Sequence, residues 1–129
     1  MRLTIYVLII FIVALSGSCG FGQMSGVKIN SMDVRQLQSD LQEKKDVVLV
    51  DVRSEAEFNG SLGHLENAIL IPLPELEQRF AELNEFIDKE IIVYCRSGNR
   101  SRTATKFLMD KGFRAVNLEG GMLAWNRLK

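Results

Sequence analysis

The chain has 129 residues, of which 47% are apolar and 25% charged, so it has room for one ordinary globular domain and little more. Its 16 basic residues equal its 16 acidic residues, which excludes the broad basic field that attracts nucleic acid. One dense basic group, formed by Arg96, Arg100 and Arg102, needs a local explanation.

Residues 1–22 have the pattern of a secretory signal. Arg2 is followed by a continuous apolar run over 5–15 and then by small residues up to Gly20. The run is shorter than the roughly 20 apolar residues that a membrane-spanning helix needs, although an uncleaved anchor is an alternative. We therefore expect an exported protein, in the bacterial periplasm or anchored on the outer side of the inner membrane or in the outer membrane.

The segment from Leu15 to Cys19 also resembles a bacterial lipobox, in which the mature chain starts at a diacylated cysteine. The leucine lies four residues before Cys19 rather than three. The choice between a soluble protein and a lipid-anchored one stays open. In either case, contact with a membrane is expected only through the N-terminal segment.

The two cysteines have different expected roles. If cleavage removes Cys19, or a lipid blocks it, Cys95 is the one thiol of the folded domain and a candidate reactive group. A buried, inert Cys95 is one alternative. A disulfide with Cys19 is another, disfavoured because it would tie a flexible N-terminus to the end of a core strand. Two cysteines and one histidine also make no persuasive metal site, so none is expected.

After a short polar tether at 23–30, the chain alternates between helical and extended patterns. Ser31 is predicted to cap a first helix, and Ser54 with Glu57 a one-turn helix. Further helices are predicted at about 75–83, from near Ser101 to Gly112, and after Gly120. Short apolar strands are predicted at four places: 47–50, 68–71, 91–94 and 115–118.

This alternation predicts an α/β domain with a mostly parallel sheet. Ligands of such sheets bind beyond the carboxyl ends of the strands. Cys95 directly follows the strand predicted at 91–94, so it lies at such an end.

The loop from Cys95 to Arg100 carries the expected chemistry. The thiolate is the reactive form of cysteine, and a helix N-terminus directs unpaired N–H groups at the loop before it. Gly98 allows the backbone to curl into an anion nest, and Arg96 and Arg100 add positive charge. Each effect favours a Cys95 thiolate and attracts a small anion.

Several segments in the right order resemble a rhodanese domain, from about Ser31 to Leu128. The second half of the resemblance is carried by Cys-Arg-Ser-Gly-Asn-Arg-Ser at 95–101, Gly-Phe at 112–113, Asn-Leu-Glu-Gly-Gly at 117–121 and Ala-Trp at 124–125. The first half is carried by Leu-Val-Asp-Val-Arg at 49–53, Glu-Phe at 57–58, Gly-His at 63–64 and Ala-Ile-Leu-Ile-Pro at 68–72.

The resemblance implies a single rhodanese-like domain at 31–129, with a central five-stranded sheet flanked by helices. It also implies that the Cys95 thiolate takes sulfur from a small anionic donor such as thiosulfate and passes it, as a persulfide, to a thiol, a protein acceptor or cyanide. The implied substrate-binding residues are those of the loop: Arg96, Ser97, Gly98, Asn99 and Arg100. No metal or organic cofactor is implied.

Three upstream residues are predicted to support the site. Asp51 is expected to bond to loop backbone or to an arginine, because a free carboxylate beside Cys95 would oppose the thiolate. Arg53 is expected to pair at the surface with Glu55 or Glu57. His64 is expected to hold its loop by hydrogen bonds rather than to act as a base.

Smaller predictions concern the surroundings of the loop. Asn67 stands where the family has glycine and is expected to tolerate a left-handed backbone. Arg102 and Lys106 are expected on a solvated face, and Trp125 as a core anchor.

Two other functions remain as alternatives. The first is a non-catalytic binding or persulfide-relay module, against which the presence of Cys95, Arg96 and Arg100 argues. The second is a phosphatase or arsenate reductase. That branch resembles a pattern with five residues between cysteine and arginine, whereas this loop has four, which fits a sulfur adduct better.

Overall fold

The computed structural model describes residues 26–129. The predicted signal at 1–22, with the possible lipid on Cys19, and the first part of the tether lie outside the described residues. Within residues 26–129, no helix is both long and apolar enough to cross a bilayer.

The centre of the domain is a five-stranded sheet in the order β1-β5-β4-β2-β3, with every neighbouring pair parallel. This confirms the predicted α/β class with its mostly parallel sheet. The strands are β1 at Ser31–Met32, β2 at Val47–Asp51, β3 at Ile69–Leu70, β4 at Glu90–Tyr94 and β5 at Arg114–Leu118. β1 was not among the four predicted strands, because its two residues are too few to show any periodicity in the sequence.

Five α-helices and two 3-10 segments connect and cover these strands. The helices are α1 at Val34–Gln42, α2 at Glu55–Phe58, α3 at Leu76–Arg79, α4 at Asn99–Asp110 and α5 at Gly121–Asn126. The 3-10 segments are Leu73–Glu75 and Phe80–Phe86. The capping box of Ser54 and Glu57 is formed at the start of α2, as predicted.

The prediction of one helix over about 75–83 was wrong, because only α3 is α-helical and 3-10 backbone continues from Phe80. Leu76 and Leu83, which define the apolar side of this segment, are both buried. Apolar residues three and four apart fit either helix type, so this pattern does not distinguish them.

The prediction that Ser31 caps the first helix was also wrong. Ser31 lies in β1 opposite Asn117 of β5. The cap is Asp33, whose carboxylate accepts a hydrogen bond of 2.8 Å from the Gln36 N–H. Ser and Asp cap helices about equally well, so the strand pairing of Ser31 decides between them.

Side chains alternate between two cores, one on each face of the sheet. In β4, Ile91 and Val93 face the core that includes Leu108 of α4, whereas Ile92 and Tyr94 face the core beside α1 and α5. Cys95, directly after β4, belongs to the first of these cores. It therefore lies on the side of the sheet where α4 packs.

Candidate active site

Cys95 lies between the end of β4 and the start of α4, in the middle of the sheet. The loop turns at Gly98, which has φ of +103° and precedes the first residue of α4. A side chain is strained in that backbone conformation, so glycine permits the turn. This confirms that the backbone curls at Gly98.

The Cys95 sulfur is enclosed by donors. Its side chain is 1% exposed, the Gly98 N–H donates to Sγ at 3.1 Å, and the Ser101 hydroxyl lies 3.4 Å from Sγ. Burial by itself raises the pKa of the thiol, but the hydrogen bonds from Ser101 and the loop backbone lower it by more. The net pKa of Cys95 lies below its ordinary value, which favours the thiolate.

The carbonyl groups of the loop are held by the start of α5. Met122 N–H donates to Cys95 O at 2.9 Å, and Leu123 N–H donates to Arg96 O at 3.0 Å. Gly121, with φ of +53°, lies so close that a Cβ there would come 2.3 Å from Cys95 O. The position of Cys95 therefore depends on α5 as well as on its own loop.

Arg100 is not a free positive charge, because it forms a two-pronged ion pair with Glu57 of α2. The two bonds measure 2.8 Å and 2.7 Å, and both side chains are partly exposed. The hydrogen bonds from Arg100 outweigh the effect of partial burial, and with those from Ser54 they hold the pKa of Glu57 at about 2. Glu57 is thus ionised at neutral pH and offsets much of the Arg100 charge.

Arg53 was predicted to pair with Glu55 or Glu57 at the surface, and this prediction was wrong. Arg53 is 1% exposed, and it pairs with the fully buried Asp51, at 2.6 Å between Nη2 and Oδ2. Its own N–H also donates to Asp51 Oδ1 at 2.9 Å. A buried arginine needs a buried partner, and Asp51 at the end of β2 provides it.

The ion pair between Asp51 and Arg53 also neutralises the carboxylate charge near Cys95. Asp51 pairs in register with Tyr94, the residue before Cys95. The prediction that Asp51 bonds to an arginine is confirmed, so its negative charge is matched locally rather than left beside the thiol.

His64 holds its loop. The ring stacks on Phe58 with centroids 3.6 Å apart, and Nδ1 lies 2.9 Å from Phe58 O. Arg53 Nη2 donates to Gly63 O at 2.8 Å, and Asn67 has φ of +62°, as expected for a left-handed position. These contacts match the predicted structural role of His64.

A cavity of about 370 Å³ opens beside the loop. Arg96 forms one wall, and the rest comes from Arg53 and from the segment that runs through α2 to Leu62. Among the other predicted binding residues, Ser97 and Asn99 are exposed and Gly98 is buried. Arg96 is thus the predicted binding residue that lines this cavity, and Cys95 itself is buried.

The outer residues behave as predicted. Arg102 and Lys106 are exposed and pair with Glu119 and Asp110, and Trp125 packs partly buried against the core beside α5.

Three residues near the site were missed as site residues by the sequence. Ser101 stands in the loop motif but was not given a role, and Glu57 was assigned to a cap and to a possible pair with Arg53, not to Arg100. Asn117 of β5 reaches Ser101 Oγ at 2.6 Å. A buried asparagine in a strand is the one signal that could have indicated Asn117, because strands seldom contain it.

The comparisons with known proteins agree with this architecture. The family model described as "Rhodanese-like domain" matches residues 33–128, so the chain belongs to the rhodanese-like domain family. A protein of Allochromatium vinosum named "Sulfurtransferase" is 37% identical over 100 residues, which are 77% of this chain and 90% of that protein.

Two solved structures are similar to the whole domain. A rhodanese-like domain protein from Staphylococcus aureus has a TM-score of 0.66 and 36% identity, over 75% of this chain and 91% of that chain. A thiosulfate sulfurtransferase from Pseudomonas aeruginosa has a TM-score of 0.68 and 25% identity, over 78% of this chain but 19% of that one. These relatives support a sulfurtransferase role in general.

Proposed function

We propose that the protein moves sulfane sulfur from thiosulfate, or a related small anionic donor, to a thiol or cyanide acceptor through a persulfide on Cys95. The observation that carries the proposal is the environment of Sγ. The sulfur lies at the N-terminus of α4, the Gly98 N–H and the Ser101 hydroxyl face it, and the thiol pKa is lowered. Such an environment stabilises a thiolate and an anionic sulfur bound to it.

The reaction balances without an oxidant or a cofactor. The Cys95 thiolate attacks the outer sulfur of thiosulfate, the bond between the two thiosulfate sulfurs breaks, and sulfite leaves with the bonding electrons. An acceptor thiolate or cyanide then attacks the outer sulfur of the persulfide, which returns Cys95 as a thiolate. The cavity lined by Arg96 is the proposed place of entry for donor and acceptor, because it has a positive charge at its wall next to the loop.

The test is thiosulfate-dependent transfer of sulfur to cyanide, with the intact mass recorded after exposure to thiosulfate. The unchanged protein is expected to turn over and to gain the mass of one sulfur atom. Cys95→Ser should lose at least about a thousandfold in rate, because the nucleophile is absent. Cys19→Ser is the matched control and should keep both the turnover and the mass gain.

Other outcomes decide against the proposal. Absence of turnover and of mass gain in the unchanged protein would overturn the thiosulfate reaction and favour a binding or relay module. Hydrolysis of an aryl phosphate that depends on Cys95, without sulfur transfer, would instead establish the phosphatase alternative.

The ion pair between Glu57 and Arg100 leads to a second prediction. Glu57→Gln should lower the KM for thiosulfate about three- to fivefold, because it removes the negative charge that offsets Arg100 near the cavity. Glutamine can still complete the capping box with Ser54, so α2 should persist. Steady-state kinetics at low ionic strength measure the effect, which added salt should weaken.

Glu55→Gln is the matched control. Glu55 is exposed in the same turn of α2 and forms no bond to Arg100. Its substitution by glutamine removes one negative charge, as Glu57→Gln does. Its KM should stay near that of the unchanged protein. Equal KM values for the two variants would show that the charge of Glu57 does not weaken the attraction of Arg100 for thiosulfate.

A further inference from the structure

Two buried polar side chains, those of Ser101 and Asn117, form a row with the Cys95 sulfur. Ser101 Oγ lies 3.4 Å from Cys95 Sγ and 2.6 Å from Asn117 Oδ1. Ser101 is fully buried and Asn117 is 1% exposed. The row is therefore sealed from solvent, and backbone N–H groups such as that of Gly98 also donate to Sγ.

The Ser101 hydroxyl has one proton and cannot donate in both directions at once. When the hydroxyl donates to Asn117 Oδ1, it cannot donate to the sulfur, and its oxygen can instead accept from a Cys95 S–H. That arrangement suits the thiol. A thiolate needs the opposite direction, because it can only accept.

Within the part of the chain that the structure describes, the other end of the Asn117 amide has no hydrogen bond that a half-turn would break. Its Nδ2 is buried and has no hydrogen-bond partner among the described residues. Unpartnered buried N–H groups are unfavourable. If the amide rotates by half a turn, which keeps its volume, Nδ2 donates to Ser101 Oγ. The Ser101 proton is then free to reach the sulfur.

We propose that Asn117 is a positioning residue that directs the Ser101 hydroxyl, so that its amide turns when Cys95 changes between thiol and thiolate. The inference deepens the proposed function, since it concerns how the proposed nucleophile is held ready. Persulfide formation would begin from the orientation in which Asn117 Nδ2 donates to Ser101 and Ser101 donates to Cys95.

The test follows the side-chain amide of Asn117 by ¹⁵N–¹H NMR through a pH titration. The rate of Cys95 alkylation by iodoacetamide is measured in parallel. In the unchanged protein, the amide signals should move with the same midpoint as the alkylation rate. In Ser101→Ala, the alkylation midpoint should rise by about one pH unit, since the thiolate loses a hydrogen bond. The amide should no longer titrate in that variant.

Thr105→Val is the matched control, because Thr105 is buried one turn further along α4 and its hydroxyl also lacks a partner among the described residues. It should leave both midpoints unchanged. Amide signals that stay fixed while alkylation titrates would overturn the proposal, and this measurement needs no variant. Amide signals that titrate equally in Ser101→Ala would also overturn it, because the charge would then act directly through space.

Neither readout uses a sulfur donor. A protein that fails to turn over thiosulfate can therefore still confirm the coupling of Asn117 to Cys95, and an active protein can still refute it.

Discussion

Replacing Asp51 by asparagine is expected to lower the free energy of unfolding by about 3–5 kcal/mol, because it leaves the buried Arg53 guanidinium without a matching charge. Both side chains are almost completely buried, and Arg53 donates to Asp51 through Nε, Nη2 and its backbone N–H. Urea unfolding followed by circular dichroism measures the loss as a lower midpoint. Thiosulfate turnover should fall as well, because Arg53 also holds Gly63 O beside the cavity.

Asp46→Asn is the matched control for burial. Asp46 pairs with Lys89 at 3.0 Å, but its side chain is 76% exposed. Exposed pairs contribute little, so this variant should lose less than about 1 kcal/mol. The double variant Asp51→Leu with Arg53→Met should be more stable than Asp51→Asn, because no uncompensated charge stays buried. If Asp51→Asn were as stable as Asp46→Asn, the buried pair would not hold this part of the fold.

Replacing Gly121 by alanine is expected to cut sulfur transfer at least about tenfold and to destabilise the fold. The new Cβ would lie 2.3 Å from Cys95 O and 2.8 Å from Arg96 O, and backbone atoms cannot give way as a flexible side chain can. The overlap costs about 1–3 kcal/mol, and the left-handed backbone adds about 1–2 kcal/mol. The loop must move to relieve the overlap, which displaces the nucleophile.

Gly112→Ala separates backbone strain from this displacement. Gly112 has φ of +91°, yet nothing lies within 4 Å of the place where its Cβ would be. It should lose about 1–2 kcal/mol of stability and keep its kcat. Steady-state kinetics and urea unfolding on both variants make the comparison. Equal kcat values would mean that contact with Gly121 does not set the position of Cys95.

The sequence alone predicted much of the fold, because its signals are local and strong. Four short and mainly apolar runs marked β2, β3, β4 and β5, and the position of Cys95 directly after one run placed it at a carboxyl end. Gly98 and the helix that follows it predicted a loop whose N–H groups face an anion. These features depend on residues adjacent in the chain, whose periodicity and turn chemistry are visible without a structure.

Contacts between distant segments were decided only by the tertiary structure. Arg53 had acidic neighbours in sequence at Glu55 and Glu57, but its burial makes Asp51 its partner, and Glu57 pairs instead with Arg100, 43 residues away. Ser31 fitted a cap until its pairing with β5 made it a strand residue. Charge and propensity indicate which partners are possible, whereas burial selects among them through the cost of leaving a polar group unpaired.

The roles of Asn117 and Gly121 depended on the tertiary structure in the same way. Asn117 comes within hydrogen-bond distance of Ser101 only because β5 lies beside β4 in the sheet. Gly121 touches Cys95 only because α5 begins beside the loop after β4. The sequence by itself determined which residue is the candidate nucleophile and where most of the strands lie. The packing of β5 and α5 around Cys95 decided which other residues hold it in place, because such contacts join segments that no local pattern connects.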